Sequence, residues 1–175
     1  MKKVVVIALI FVLVLFGFTF YRSATSDISP PSTAVDSEKS TDTKVYSFSG
    51  SDDILTVMNG TVIIYEDKET FSGGTLQVNS ESFFEDVVSY NTTFYILKDG
   101  IKKTIMSNSL VDETGGKVNL NGDDLGKISG DDFITGNKTD RAEDLMNNLY
   151  FEINTVNADG SNKTHQLLLD VVQIN

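Results

Sequence analysis

From residue 45 onward, no apolar run with a 3.6-residue period is long enough to build a helical core. In its place stand short runs of β-branched and aromatic residues, each closed by turn-forming residues. Ile54–Met58, Asn59-Gly60 and Thr61–Tyr65 together predict a hairpin. Asn-Gly tolerates positive φ at both central positions of a type I′ turn, whose twist matches paired strands. Thr93–Lys98, Asp99-Gly100 and Ile101–Met106 repeat the device. Leu149–Val156 and Asn162–Ile174, joined through Asn157–Ser161, predict a third hairpin with a longer loop. Weaker strands are expected at Lys44–Phe48, Gly74–Val78, Lys117–Leu120 and Leu125–Ile128.

Alternation within the runs supports this reading. Leu149, Phe151 and Ile153 share one face, and Ile101, Lys103 and Ile105 share another, with the lysine suited to an edge. One short helix is expected, with Asp140 as N-cap, Glu143 three residues on, and Asp144-Leu145-Met146 following. The pattern is that of an all-β antiparallel sandwich.

The N-terminal residues belong to a different regime. Lys2 and Lys3 precede an apolar run, Val4–Phe20, and then Tyr21 and Arg22. As a helix the run is about 25 Å long, close to the hydrocarbon thickness of a bilayer. The excess positive charge before it keeps the N-terminus inside and sends the rest out, and Tyr21 suits the interface. Residues 1–22 therefore read as a signal-anchor spanning the membrane, with the body extracytoplasmic. The alternative is a cleaved signal and a secreted body; Ala24 is the only plausible small residue near a cleavage point.

Residues 23–44 are Ser, Thr, Asp, Pro and Ala with almost nothing large, and read as a disordered linker. Residues 45–175 are enough for one domain with its own core. They carry 9 basic against 21 acidic residues, a net charge of −12. Such a surface repels nucleic acid and anionic headgroups, and attracts cations or basic partners. With no cysteine, neither a disulfide nor a lipid-modified cysteine is available.

The C-terminal third resembles the end of immunoglobulin-like and fibronectin type III sandwiches. The matching residues are Leu145, then Tyr150-Phe151-Glu152-Ile153, then Asp159-Gly160-Ser161, then His165–Val172. The resemblance implies that Tyr150 bonds back to the preceding corner. The body as a whole is similar to small exported sandwich domains of Gram-positive bacteria, often membrane-anchored. Phe48-Ser49-Gly50-Ser51-Asp52-Asp53 and Leu125–Asp132 carry that layout. Neither the disulfide nor the core Trp of immunoglobulin domains is present.

Candidate sites are sparse. Asp123, Asp124, Asp131 and Asp132, with Asn119 and Asn121, supply the oxygens a hard cation such as calcium takes, if they gather at one end of the sandwich. Against that stands the habit of adjacent Asp residues to cap turns. His165, the sole histidine, is the base that a Ser-based hydrolase would need, yet no Gly-x-Ser-x-Gly elbow exists. It reads better as a strand residue near an edge. Phe83, Phe84, Tyr90, Phe94 and Tyr95 form the densest aromatic segment and read as packing.

The expectation is thus a membrane-anchored binding or structural module at a bacterial cell surface. It uses no catalysis and no cofactor, and contacts the membrane through residues 4–20 and a protein or envelope polymer elsewhere. A calcium-dependent adhesion or sensor module and a small envelope hydrolase are the alternatives.

Overall fold

The structure is a computed structural model and describes residues 43–66, 68–112, 118–134 and 144–174. All of these lie within one unit, Thr41–Asn175. The expected membrane segment 1–22 and residues 23–42 of the expected linker lie outside the described residues. Lys44, the last residue of the expected linker and the first of the expected strand Lys44–Phe48, opens the first strand.

Among the described residues, ten strands form two antiparallel sheets: β1 (Lys44–Ser51), β2 (Leu55–Tyr65), β3 (Lys68–Ser72), β4 (Thr75–Val78), β5 (Val87–Lys98), β6 (Ile101–Val111), β7 (Lys127–Asp131), β8 (Leu149–Asn157), β9 (Asn162–Leu168) and β10 (Asp170–Gln173). The larger sheet runs β10-β1-β2-β3-β7 with β4 also beside β2, and the smaller runs β6-β5-β8-β9. In an immunoglobulin constant domain the second strand sits beside the fifth. Here β2 sits beside β1, β3 and β4, so the strand order differs from that resemblance.

The Asn59-Gly60 hairpin is not formed. Both residues lie inside β2, which continues straight through them. Its first half pairs with β4 (Met58 opposite Thr75) and its second with β3 (Thr61 opposite Ser72). Along β1 the register skips from Phe48–Gly60 to Gly50–Val57, which is a β-bulge. Asn59 takes the left-handed conformation (φ 61°), but Gly60 does not. The reason is packing: a Cβ on Gly60 would stand 2.0 Å from the Phe48 ring. Gly60 is the seat of that ring, and burying it there outweighs the local turn preference.

Phe48 belongs to a stack that joins the sheets. It lies 5.2 Å from Phe71 and 5.8 Å from Phe94; Phe71–Phe94 is 5.0 Å and Phe94–Phe151 is 5.1 Å between ring centroids. Each such pair contributes about 0.5–1.5 kcal/mol beyond its buried area. Around the stack close Leu55, Val57, Val62, Leu76, Leu149 and Ile153, all fully buried. The predicted inward face of β8 (Leu149, Phe151, Ile153) is borne out.

The Asp99-Gly100 hairpin forms as predicted, with φ of 52° and 76° at its two central residues. In β6, Ile105 is buried while Ile101 and Lys103 are exposed, as suits an edge strand. The third hairpin also forms, but its last strand divides. β9 pairs with β8 in one sheet and β10 with β1 in the other. Leu167, Leu169 and Val171 all stay buried through the crossover, so one alternating run serves both sheets.

Three expectations shift. Val118–Leu120 is not a strand, though Leu120 is buried (Lys117 lies outside the described residues). The strand expected at Leu125–Ile128 is β7, displaced toward Asp131, with Leu125 buried before it. Strand β3 has no counterpart among the expected strands. Of the short helix, Asp140–Glu143 lie outside the described residues, while Asp144 and Leu145 have 3-10 conformation with Leu145 fully buried. Among the described residues, no helix is long and apolar enough to cross a membrane.

Candidate functional site

The acidic candidates are dispersed. Thr75 bridges Asp124 and Lys68 pairs with Asp131, so the two positions sit seven residues apart along the β3–β4 edge. At strand rise that is roughly 20 Å. Three of the four carboxylates have a partner within the domain. Asp123 accepts from the Tyr90 hydroxyl at 2.7 Å, Asp124 from the Gly126 amide at 2.9 Å, and Asp131 from Lys68 at the exposed surface. Asp132 occupies a left-handed turn position, φ 48°. Asn119 accepts from the Asn121 amide and Asn121 from that of Val78. Among the described residues, no three His, Cys, Asp or Glu side chains gather as a metal site. Asp124 and Asn119 cap their own turns, whereas Asp123 and Asp131 are held by side chains distant in sequence. In Asn157–Ser161, likewise, the Ser161 side chain and amide both bond Asp159, and hold its carboxyl below the usual range.

His165 faces a carboxylate. Its Nε2 lies 2.7 Å from Asp52 Oδ2, and its ring meets Phe83 edge-on at 5.8 Å. Among the described residues no Ser or Thr hydroxyl partners it, so the nucleophile–base pair that hydrolysis would need is not assembled around it. Asp52 follows β1 and uses its other oxygen to accept the amides of Ile54 (2.8 Å) and Leu55 (3.0 Å). Burial pushes the Asp52 carboxyl up; those two amides and His165 outweigh it and hold it below its ordinary value. The pair therefore ties the smaller sheet, through β9, to the β1–β2 corner of the larger.

The outer face of the smaller sheet carries a polar network. Glu152 takes the Lys102 ammonium on both oxygens at 3.0 Å, Gln166 at 2.8 Å and Asn154 at 3.2 Å. Burial would raise its carboxyl, but Lys102 and the two amides bring it below the ordinary value. Thr164 donates to Asn154, and Asn91 donates to Ser107 and Ser109 across the β5–β6 ladder. Tyr95 and Tyr150 stack at 5.5 Å, with Lys102 Nζ 3.9 Å above the Tyr95 ring. The corner hydrogen bond expected of Tyr150 is not made among the described residues. Tyr150 is the cross-strand partner of Tyr95 and faces outward instead. Burial and Glu152 push the Tyr95 hydroxyl up, and burial and Asp123 do the same for Tyr90. No described strand covers this face. It offers oriented hydrogen-bond donors and acceptors.

Sequence reasoning missed one inner feature. Glu69 on β3 is 1% exposed and accepts the Ile134 amide, while Lys103 donates to the Ile134 carbonyl at 2.6 Å. One backbone unit is thus held by a side chain from each sheet. The signal was present: Glu69 and Phe71 alternate onto the same inward face. Clefts of about 310, 300 and 270 Å³ open at the surface. In the first, Lys98 is paired with Asp144 at 2.5 Å and Lys103 is spent on Ile134.

Comparison with protein-family models, curated proteins and solved structures gives no match.

Proposed function

We propose that this chain is a membrane-held, extracytoplasmic sandwich module of a bacterial surface, whose work is binding or structural and not catalytic. Residues 1–22 are its anchor and 23–44 its spacer in this reading, which rests on the apolar length and charge order of the N-terminal sequence. The likeness to immunoglobulin-like and other exported sandwiches is kept at the level of two packed antiparallel sheets; sheets of that kind host many functions.

The observation that carries the binding part is the outer face of β6-β5-β8-β9. Lys102, Glu152, Asn154, Thr164 and Gln166 are fixed by mutual bonds, with Lys102, Thr164 and Gln166 exposed and Glu152 and Asn154 half-buried among them, so a ligand meets oriented donors and acceptors with little ordering cost. Such a face fits a polar protein segment or a hydroxyl-rich envelope polymer.

The test is co-sedimentation of the detergent-solubilised full chain with insoluble cell-wall polysaccharide. The wild type pellets with it, and a Lys102→Ala, Gln166→Ala, Thr164→Ala variant stays in the supernatant. Equal behaviour of the two proteins, in a pellet and in pull-downs from envelope extract, removes this face from the proposal.

A further inference from the structure

The outer face of the larger sheet has the opposite character. Ile63 is 40%, Tyr65 43%, Val172 60% and Ile174 63% exposed. These side chains are contiguous. Val45 pairs with Ile63, the Ile174 amide bonds the Val45 carbonyl at 2.8 Å, and Val172 pairs with Ser47. Their alternation partners Tyr46, Val62, Ile64 and Val171 are buried beneath. Solitary exposed apolar residues are ordinary, but a joined group marks a contact with protein or lipid.

We infer that this patch, centred on Tyr65 and Ile174, rests on the lipid surface in which the chain is anchored. The inference depends on the anchored reading of residues 1–22. Its argument is where the preceding chain arrives. β1 opens at Lys44, so the residues that follow the apolar run Val4–Phe20 join the domain beside Val45, at the edge of the patch. The spacer between the apolar run and β1 is short, so an anchored domain stays near the surface that holds it. A contact too weak to hold a free domain is sufficient at the effective concentration such a tether creates. Tyr65 supplies an amphipathic ring and Lys44 a long stem with a charged head, both suited to the headgroup layer. The domain's negative charge directs this contact toward neutral lipid, since anionic headgroups repel it.

The chain has no tryptophan and no cysteine, so single reporters are unambiguous. The full chain carrying Tyr65→Trp is reconstituted into phosphatidylcholine vesicles, with and without brominated acyl chains. Thr164→Trp, on the outer face of the opposite sheet, is the reference. Val172→Trp replaces Tyr65→Trp if the latter does not fold. Flotation with the vesicles reports anchoring separately. The expected result is flotation of both variants, with several-fold stronger bromine quenching and a blue-shifted emission at position 65. Flotation with equal quenching at the two positions overturns the docking and leaves the anchor standing. Failure to float overturns the anchored reading, and the docking with it. A shielded but unquenched indole at position 65, together with disulfide-linked dimers of an Ile174→Cys variant, overturns lipid contact in favour of a second copy.

Discussion

His165 Nε2 and Asp52 Oδ2 lie 2.7 Å apart, joining β9 of one sheet to the β1–β2 corner of the other. The two residues are 113 positions apart in sequence, and the same Asp52 closes its own corner through the amides of Ile54 and Leu55.

This arrangement makes the fold sensitive to acid. Asp52 and Glu152 both titrate below their ordinary values of 3.8 and 4.5 in the folded state. A depressed carboxylate adds stability above its unfolded pKa, and that stability is lost as pH falls through the folded value. Urea unfolding at a series of pH values will show stability falling as the pH drops below about 4.5. Asp52→Asn and Glu152→Gln will each flatten that fall; an unchanged acid limb refutes the assignment.

The β2 bulge depends on a missing side chain. Gly60→Ala places a methyl 2.0 Å from the Phe48 ring and will cost about 1–3 kcal/mol or more by overpacking. In a Phe48→Leu background the same substitution will cost less, since the two residues share the space. A denaturant double-mutant cycle measures the coupling, and independent effects would show that Gly60 is needed for its backbone alone.

Gly100 gives the contrasting case. It sits at φ 76° in the β5–β6 turn, with nothing within 4 Å of where a Cβ would stand. Gly100→Ala will cost about 1–2 kcal/mol from backbone strain alone. Gly100→Asn, which tolerates the left-handed region, will cost less. Thermal unfolding of the two variants separates strain from packing.

Glu69 is the acceptor for the Ile134 amide inside the domain. Glu69→Leu leaves that amide without its carboxylate and will destabilise by about 1–3 kcal/mol. Glu69→Gln retains an acceptor oxygen and will cost less. Hydrogen exchange at the Ile134 amide will speed up in the leucine variant and remain closer to wild type in the glutamine variant.

Calcium binding at the Asp pairs would compete with interactions the loops already make. Asp124 caps the turn at Gly126 and Asp131 pairs with Lys68. The expected outcome is a melting temperature unmoved by added calcium or by chelator. A rise of several degrees with calcium, reversed by chelator, would restore the calcium-dependent reading.

Turns and strands were legible where the deciding contacts are short in range. Asp99-Gly100 has no neighbour to override its φ preference, and it turns the chain as its residue types require. Asn59-Gly60 has the same local chemistry and does not turn, because Phe48 settles on Gly60 from the neighbouring strand. The candidate site followed the same divide. That Asp52 and Asp124 cap the turns they stand in could be read from residue type. That His165 meets Asp52, or that Tyr150 stacks on Tyr95, could not, since neither partner is near in sequence.

The amino-acid sequence by itself determined an all-β domain with antiparallel strands, the inward face of β8, and two of the three expected hairpins. Alternation and turn propensity act within about ten residues, so the chain states them locally. Only the tertiary structure decided the strand order, the passage of β2 through its glycine, the split of the final strand between sheets, and the meeting of Glu69 with the Ile134 amide. Those outcomes depend on which distant side chains share one core, and close packing resolves them only when both sheets are in place.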